Sequence, residues 1–332
     1  MTSIGIIGGG AFGTALACVM HRSGHDVLIW ARESEVVDAI NHEGVNSHFL
    51  PDVPLASGIR ATGDLAEAAG ASDIILMAVP AQHVRAVAVQ MRAAVRTQTP
   101  LVSCSKGIER GTCQLMPEVL SATLPDNAIA VLSGPSFARE IAGDLPCGVV
   151  LACADGSVGE TVGTEISGPR FCIHLSDDVV GAAIGGVMTN VISIASGIVA
   201  GRKLGENARA TVITLGLAEA TRLGLAKGAK AATFTGLAGI GDLMLTANSL
   251  KSRNTSLGFA LGEGRRLADV LAERKEVTEG AFSVEAVAAL ARQLRVEMPI
   301  TQALDQVLNH GVHLDDAMVQ ALHHLPPLSR AR

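Results

Sequence analysis

Six consecutive residues near the N-terminus, Gly8-Gly9-Gly10-Ala11-Phe12-Gly13, carry glycine at the spacing G-x-G-x-x-G. Where a strand runs into a helix, Gly8 would make the tight turn and Gly10 would let backbone approach a pyrophosphate. Gly13 would let the helix lie close on the strand. The helix start adds free N–H groups and the positive end of its dipole. Here the apolar run Ser3–Ile7 precedes the glycines and a helical pattern over residues 11–23 follows, the context that a plain glycine turn lacks. A second apolar run, residues 26–31, leads into Arg32 and Glu33. An acidic residue at that strand end holds the ribose hydroxyls of NAD, whereas an arginine pairs with the 2′-phosphate of NADP. Arg32 points to NADP, and Glu33 leaves NAD open.

Four later segments place glycine, polar and charged residues where strands or helices should end. They are Ser105-Lys106-Gly107, residues 133–140 (beginning Ser133-Gly134-Pro135-Ser136), Gly239-Ile240-Gly241-Asp242-Leu243, and Ser252-Arg253-Asn254. In an open parallel sheet, ligands bind beyond the C-terminal ends of the strands. Lys106 there suits an anion, with a solvated lysine as the plain alternative. Arg253 opens a helix after Ser252, so its fork and the helix N-terminus both suit a phosphate. His83 follows Val79-Pro80 and reads as a packed loop histidine, with a place near the nicotinamide as the sharper alternative. Asp177-Asp178 and Asp315-Asp316 read as helix caps that also favour the dipole, not as metal sites.

These groups need a scaffold that alternates strand and helix. Strand-like runs at residues 3–7, 26–31, 73–79, 101–105, 128–132 and 148–152 are apolar on both faces, as strands covered by helices should be. The fold class is α/β: a doubly wound Rossmann-type parallel sheet over residues 1–178, then an all-helical domain over residues 179–332. Helical segments are expected at 179–200, 208–225, 229–235, 254–261, 267–273, 283–295, 300–309 and 314–322, with a frayed tail after Leu325. Residues 179–200 are long and uncharged enough to span a membrane. Thr189, Asn190, Ser193 and Ser196 inside the stretch favour a buried helix instead.

Composition narrows the function. The chain has 332 residues, 48% hydrophobic and only 2% aromatic, so its core is built from small and aliphatic side chains. A net charge of -6 excludes a general nucleic-acid binder. The six cysteines show no C-x-x-C spacing and no metal pattern appears, so they read as small buried hydrophobes in a reduced, cytoplasmic setting.

Taken in order, these motifs resemble the bacterial-type NAD(P)-dependent glycerol-3-phosphate dehydrogenases over nearly the whole chain. Further matching pieces are Phe49-Leu50-Pro51, Gly185-Gly186, Asn190-Val191, Asn207-Ala208-Arg209, Glu279-Gly280 and Glu297-Met298-Pro299. The resemblance implies reduction of dihydroxyacetone phosphate to sn-glycerol 3-phosphate for phospholipid synthesis, and a homodimer is expected. It implies substrate contacts from Lys106, Gly134, Ser136, Asp242, Ser252, Arg253 and Asn254. It implies cofactor contacts from Gly8, Gly10, Ala11, Phe12, Gly13, Arg32, Lys106, Ala138, Arg253, Val277 and Glu279. The expected catalytic set is the position of Thr189 with Asp242 and Lys106.

At that position the family carries a proton-transferring lysine, and this chain carries Thr189. A hydroxyl can hydrogen-bond a developing oxyanion, but it is a poor acid. Losing a general acid costs about 10²–10⁴ in rate. Leu215 likewise stands where similar sequences usually have arginine. Three readings follow: the family reaction, with Lys106 or Lys203 as a stand-in proton donor; a dehydrogenase of another phosphorylated hydroxy compound; or a binding protein without catalysis. For the cofactor the expectation is concrete. Arg32→Ala should weaken NADPH binding more than NADH binding, and equal losses in a fluorescence titration would refute the role given to Arg32.

Overall fold

The structure is a computed structural model and describes residues 1–274 and 277–317. The N-terminal half builds one eight-stranded sheet. In chain order its strands are β1 (Ser3–Ile7), β2 (Asp26–Trp30), β5 (Ile59–Thr62), β6 (Ile74–Met77), β7 (Leu101–Ser103), β8 (Ile129–Ser133), β9 (Cys147–Cys153) and β10 (Phe171–Ser176). A small antiparallel pair, β3 (Val45–Asn46) and β4 (Leu50–Pro54), stands apart. The order across the large sheet is β10-β9-β8-β7-β6-β1-β2-β5. The strands from β8 to β5 run parallel, while β9 pairs antiparallel with β8 and parallel with β10. The expected parallel sheet is therefore reversed over its last two strands.

Edge strands β5 and β10 were absent from the expected series, and the reason is their burial. Both sheet faces are covered at the centre, so β6 is buried at every position. At the edges burial alternates or fails, as in β10, where Cys172, His174 and Leu175 are exposed. Exposure of Cys172 also corrects the expectation that every cysteine is buried.

Chain order reverses between β1 and β6, which leaves a crevice beyond their C-terminal ends. Helix α1 (Ala11–Arg22) begins there. The intervening helices are α2 (Ser34–Asp38), α3 (Leu65–Gly70), α4 (Val84–Met91), α5 (Met116–Thr123), α6 (Ala138–Ala142) and α7 (Gly156–Ile166). From Val179 onward the described residues hold helices and no strands. These are α8 (Val179–Gly201), α9 (Glu206–Ala226), α10 (Ala231–Phe234), α11 (Asp242–Ala247), α12 (Arg253–Gly262), α13 (Leu267–Ala272), α14 (Glu279–Leu294) and α15 (Pro299–Asn309). Residues 314–317 are helical; the rest of the expected last helix and the tail lie outside the described residues.

Helix α8 is the axis of this half. It is long and apolar enough to cross a membrane, yet its apolar stretch is wholly buried inside the fold. Asp178 caps it as expected: one carboxylate oxygen accepts from Gly181 N–H at 2.8 Å, the other from Lys230 N–H at 2.8 Å and the Thr233 hydroxyl at 2.5 Å. The other acidic pair differs. The Asp315 amide donates to the His313 ring at 3.4 Å and the Asp315 carboxylate pairs with Arg202 at 2.7 Å, so His313 does the capping.

Helix α12 lies against the C-terminal half of α8 with backbone nearly touching backbone. A Cβ on Gly258 would overlap the Ile194 carbonyl, and one on Gly197 the Thr255 carbonyl. This contact sets where α12 begins, and hence where Ser252, Arg253 and Asn254 stand. Gly258→Val should therefore destabilise the protein by about 3 kcal/mol or more, read as a lowered midpoint in thermal unfolding.

Candidate active site

The glycine loop has the geometry its spacing implied. Gly8 adopts φ 126° and a Cβ there would stand 2.7 Å from the Ala78 carbonyl, at the end of β6. Only glycine tolerates both conditions. Gly13 packs on the Gly8 carbonyl, which brings α1 onto β1. Gly10 is different: nothing lies within 4 Å of where its Cβ would be. The first-turn amides of Ala11, Phe12 and Gly13 precede the first helical bond, Thr14 N–H to Gly10 carbonyl at 2.9 Å, and remain available. An open glycine face beside free helix-start amides fits a dinucleotide pyrophosphate. Arg32 is exposed at the end of β2 and donates twice to Glu33, at 2.7 and 3.1 Å.

Sequence reasoning missed Asn46. It is fully buried, and its amide donates to the Gly9 carbonyl and the Thr14 hydroxyl, both at 2.8 Å, so it fixes the loop from below. A buried asparagine three residues before the Phe49-Leu50-Pro51 segment was the available signal, but no spacing connects it to the glycines.

A second cluster forms where the sheet meets the helices. Lys106 Nζ donates to the Gly134 carbonyl at 2.9 Å and to Asp242 Oδ2 at 2.8 Å, with the Ser136 hydroxyl at 3.4 Å. Asp242, the first residue of α11, is 2% exposed and its other oxygen accepts from Thr246 at 3.3 Å. Burial pushes the Asp242 carboxyl up from its ordinary range, against the pull of the Lys106 ammonium and the Thr246 hydroxyl. The Lys106 stem is admitted by Gly186 of α8, where a Cβ would stand 3.2 Å from Lys106 Cγ.

Asparagines join this cluster to α12. Asn190 donates to the Lys106 carbonyl at 3.1 Å, Asn254 to Asn190 Oδ1 at 2.7 Å, and Gly280 N–H to Asn254 Oδ1 at 3.0 Å. The Asn254 side chain is thus engaged as a brace. Ser252 caps α12 by accepting from Thr255 N–H at 3.3 Å, and Arg253 follows it exposed. Ala138 begins α6 close after Gly134 and Ser136, and Val277 precedes Glu279 at the start of α14.

Glu279 accepts from Ala81 N–H at 3.0 Å, across the boundary between sheet and helices. Its other oxygen, Oε2, is buried without a hydrogen-bond partner and lies 3.4 Å from where a Cβ on Gly107 would be. Burial pushes this carboxyl up to about 7, opposed by the Ala81 amide and the Arg253 charge. An orphaned buried oxygen between the Pro80 turn and Arg253 fits a polar group of a bound cofactor.

Three expected positions fall elsewhere. Thr189 lines a small recess with Met188, Ile192, Leu217, Phe234 and Leu243, and its hydroxyl makes no hydrogen bond among the described residues. Lys203 is exposed beyond the end of α8, about 20 Å along the helix axis from residue 189. His83 is exposed in the turn after Pro80, which corrects the packed reading.

Models of the NAD-dependent glycerol-3-phosphate dehydrogenase N-terminus and C-terminus match residues 3–158 and 178–319. The glycerol-3-phosphate dehydrogenase [NAD(P)+] of Parvibaculum lavamentivorans is 50% identical over 319 residues, 96% of each chain. That of Caulobacter vibrioides is 48% identical over 96% of each chain. The crystal structure of glycerol-3-phosphate dehydrogenase from Coxiella burnetii superposes with a TM-score of 0.93 at 37% identity, covering 98% of this chain and 99% of that one.

Glu279 yields a pH prediction. Its neutral form is favoured in the fold, so the stability it contributes is present below its ordinary value of 4.5 and lost as pH rises towards 7. Between those values the cofactor-free protein should lose up to about 3 kcal/mol relative to Glu279→Gln. Denaturant titrations of both proteins at pH 4.5 and pH 7.5 measure the difference; parallel curves would contradict the assignment.

Proposed function

We infer the reaction from the family to which the chain belongs, the NAD-dependent glycerol-3-phosphate dehydrogenases: it interconverts dihydroxyacetone phosphate and sn-glycerol 3-phosphate with NAD or NADP. When bound, the nicotinamide supplies or accepts the hydride at C2 of the substrate. The chain's own residues do the rest. Ala11, Phe12 and Gly13 present their amides to the pyrophosphate, with Gly8 and Gly10 shaping the approach. Arg32 takes the 2′-phosphate of NADP, the cofactor this reading prefers, while Ala138, Val277 and Glu279 contact the remainder of the dinucleotide.

The observation that carries the reading is the asparagine bridge, Lys106 carbonyl to Asn190 to Asn254, because it fixes two kinds of chemistry side by side. At one end lies the polar corner of Lys106, Gly134, Ser136 and Asp242, suited to a carbonyl or hydroxyl oxygen. At the other, Ser252, Arg253 and Asn254 open α12, a helix of ten residues whose N-terminus suits the substrate phosphate. The retained Lys106–Asp242 pair favours catalysis over binding alone. In this reading the dinucleotide domain spans residues 1–178 and the substrate domain 179–332. The protein acts as a cytoplasmic homodimer whose product feeds phospholipid synthesis.

The test follows NADPH and NADH absorbance with dihydroxyacetone phosphate. Turnover is expected with both and faster with NADPH. Tight NADPH binding without turnover of this ketone would overturn the substrate assignment.

A further inference from the structure

We propose that Lys106 is the catalytic residue that delivers the proton to the substrate oxygen in this chain, with Asp242 as its positioning residue. The proposal rests on the reaction inferred above. Position 189 supplies no acid. Thr189 lines a recess together with Ile192, Leu217, Phe234 and Leu243, and its hydroxyl is engaged with nothing among the described residues. One turn earlier on α8, Gly186 leaves the space through which the Lys106 stem passes. Helix positions three apart share a face, so the Lys106 ammonium serves the same side of α8 as residue 189.

The hydrogen bonds of Nζ show how the proton becomes available. An ammonium has three N–H donors. Two are well spent, on the Gly134 carbonyl at 2.9 Å and on Asp242 at 2.8 Å. The third meets Ser136 Oγ at 3.4 Å, a weak contact, and that hydroxyl already donates to Gly134 at 2.8 Å. An incoming ketone oxygen can take this third donor without disturbing the other two.

The step balances as follows. As the hydride bonds to C2, the carbonyl π pair moves onto oxygen. That oxygen takes a proton from Nζ as the N–H bond breaks, giving the alcohol and a neutral amine. The ketone is reduced and the dinucleotide oxidised. The Lys106 side chain is 21% exposed, so the amine recovers its proton from water. In the reverse direction the same amine is the base.

Lys106→Arg separates charge from acidity. A guanidinium still pairs with the buried Asp242 carboxylate, but it does not release a proton in proteins. We expect kcat with dihydroxyacetone phosphate to fall by about 10²–10⁴-fold. The loss in kcat should exceed any change in KM or in the NADPH affinity read by quenching of the single tryptophan, Trp30, and the melting temperature should change little. Adding Thr189→Lys to that variant puts an ammonium back on the same face of α8 and should recover kcat by at least about tenfold. A Lys106→Arg protein with kcat within about tenfold of the parent overturns the proposal. So does a loss shared equally by NADPH affinity and melting temperature, or a folded double variant with no recovery. If the parent itself does not reduce this ketone, the failure belongs to the reaction assignment above.

Discussion

A helix enclosed by protein along its whole length can accept neighbours only where its own side chains are small. Helix α8 lives under that constraint, and much of the molecule is arranged around how it is met. At its C-terminal end, Gly197 and Gly201 let α12 approach to backbone contact. At its N-terminal end, Gly185 receives the Ala238 carbonyl and Gly186 receives the Lys106 stem. The first contact places the start of α12, with Ser252, Arg253 and Asn254. The others place the turn that carries Asp242 and the lysine that pairs with it. The spacing between the two ends of the site is thus a spacing along one helix.

Polar groups drawn into this core must find partners, and the way they do so makes the site directional. Gly280 N–H fixes which end of the Asn254 amide accepts, so its other end must donate. Asn190 must then accept from Asn254 and donate to the Lys106 carbonyl. The residue next to Gly280 is Glu279, whose carboxylate reaches back to Ala81 on the sheet side. Sheet and helices are therefore held together by bonds that pass through the residues nearest the chemistry. The burial that raises Glu279 follows from its position at that seam.

The glycine loop and the central strands were legible because their signals are local. Periodicity of two-faced burial marks β1, β2 and β6 to β8, and G-x-G-x-x-G marks the turn between strand and helix. Edge strands β5 and β10 were not legible, since their half-wet faces break the continuous apolar run. The π-turn Leu237–Gly241 and α11 were read only as a glycine-bearing stretch at the end of an element, because Gly239 and Gly241 precede Asp242; the segment is helical and packs against α8. The motifs named Lys106, Gly134, Ser136 and Asp242 one at a time; that they meet at a single ammonium depends on contacts across about 140 residues of chain, which spacing cannot express. Asn46 escaped for the same reason.

Threonine at position 189, where the family resemblance implies lysine, is consistent with the electrostatics of this corner. Removing one member of a buried ion pair is costly because the other is left uncompensated, by about 3–5 kcal/mol. In this chain Lys106 and Asp242 already form a closed pair, with Asp242 accepting also from Thr246. An uncharged residue 189 therefore leaves no orphan behind. Leu215 fits the same pattern, packing its side chain against the helical core where a charge would need its own counter-ion. With one ammonium and one carboxylate balanced at the corner, the cationic charge at the start of α12 is carried by Arg253, which stands exposed outside the core.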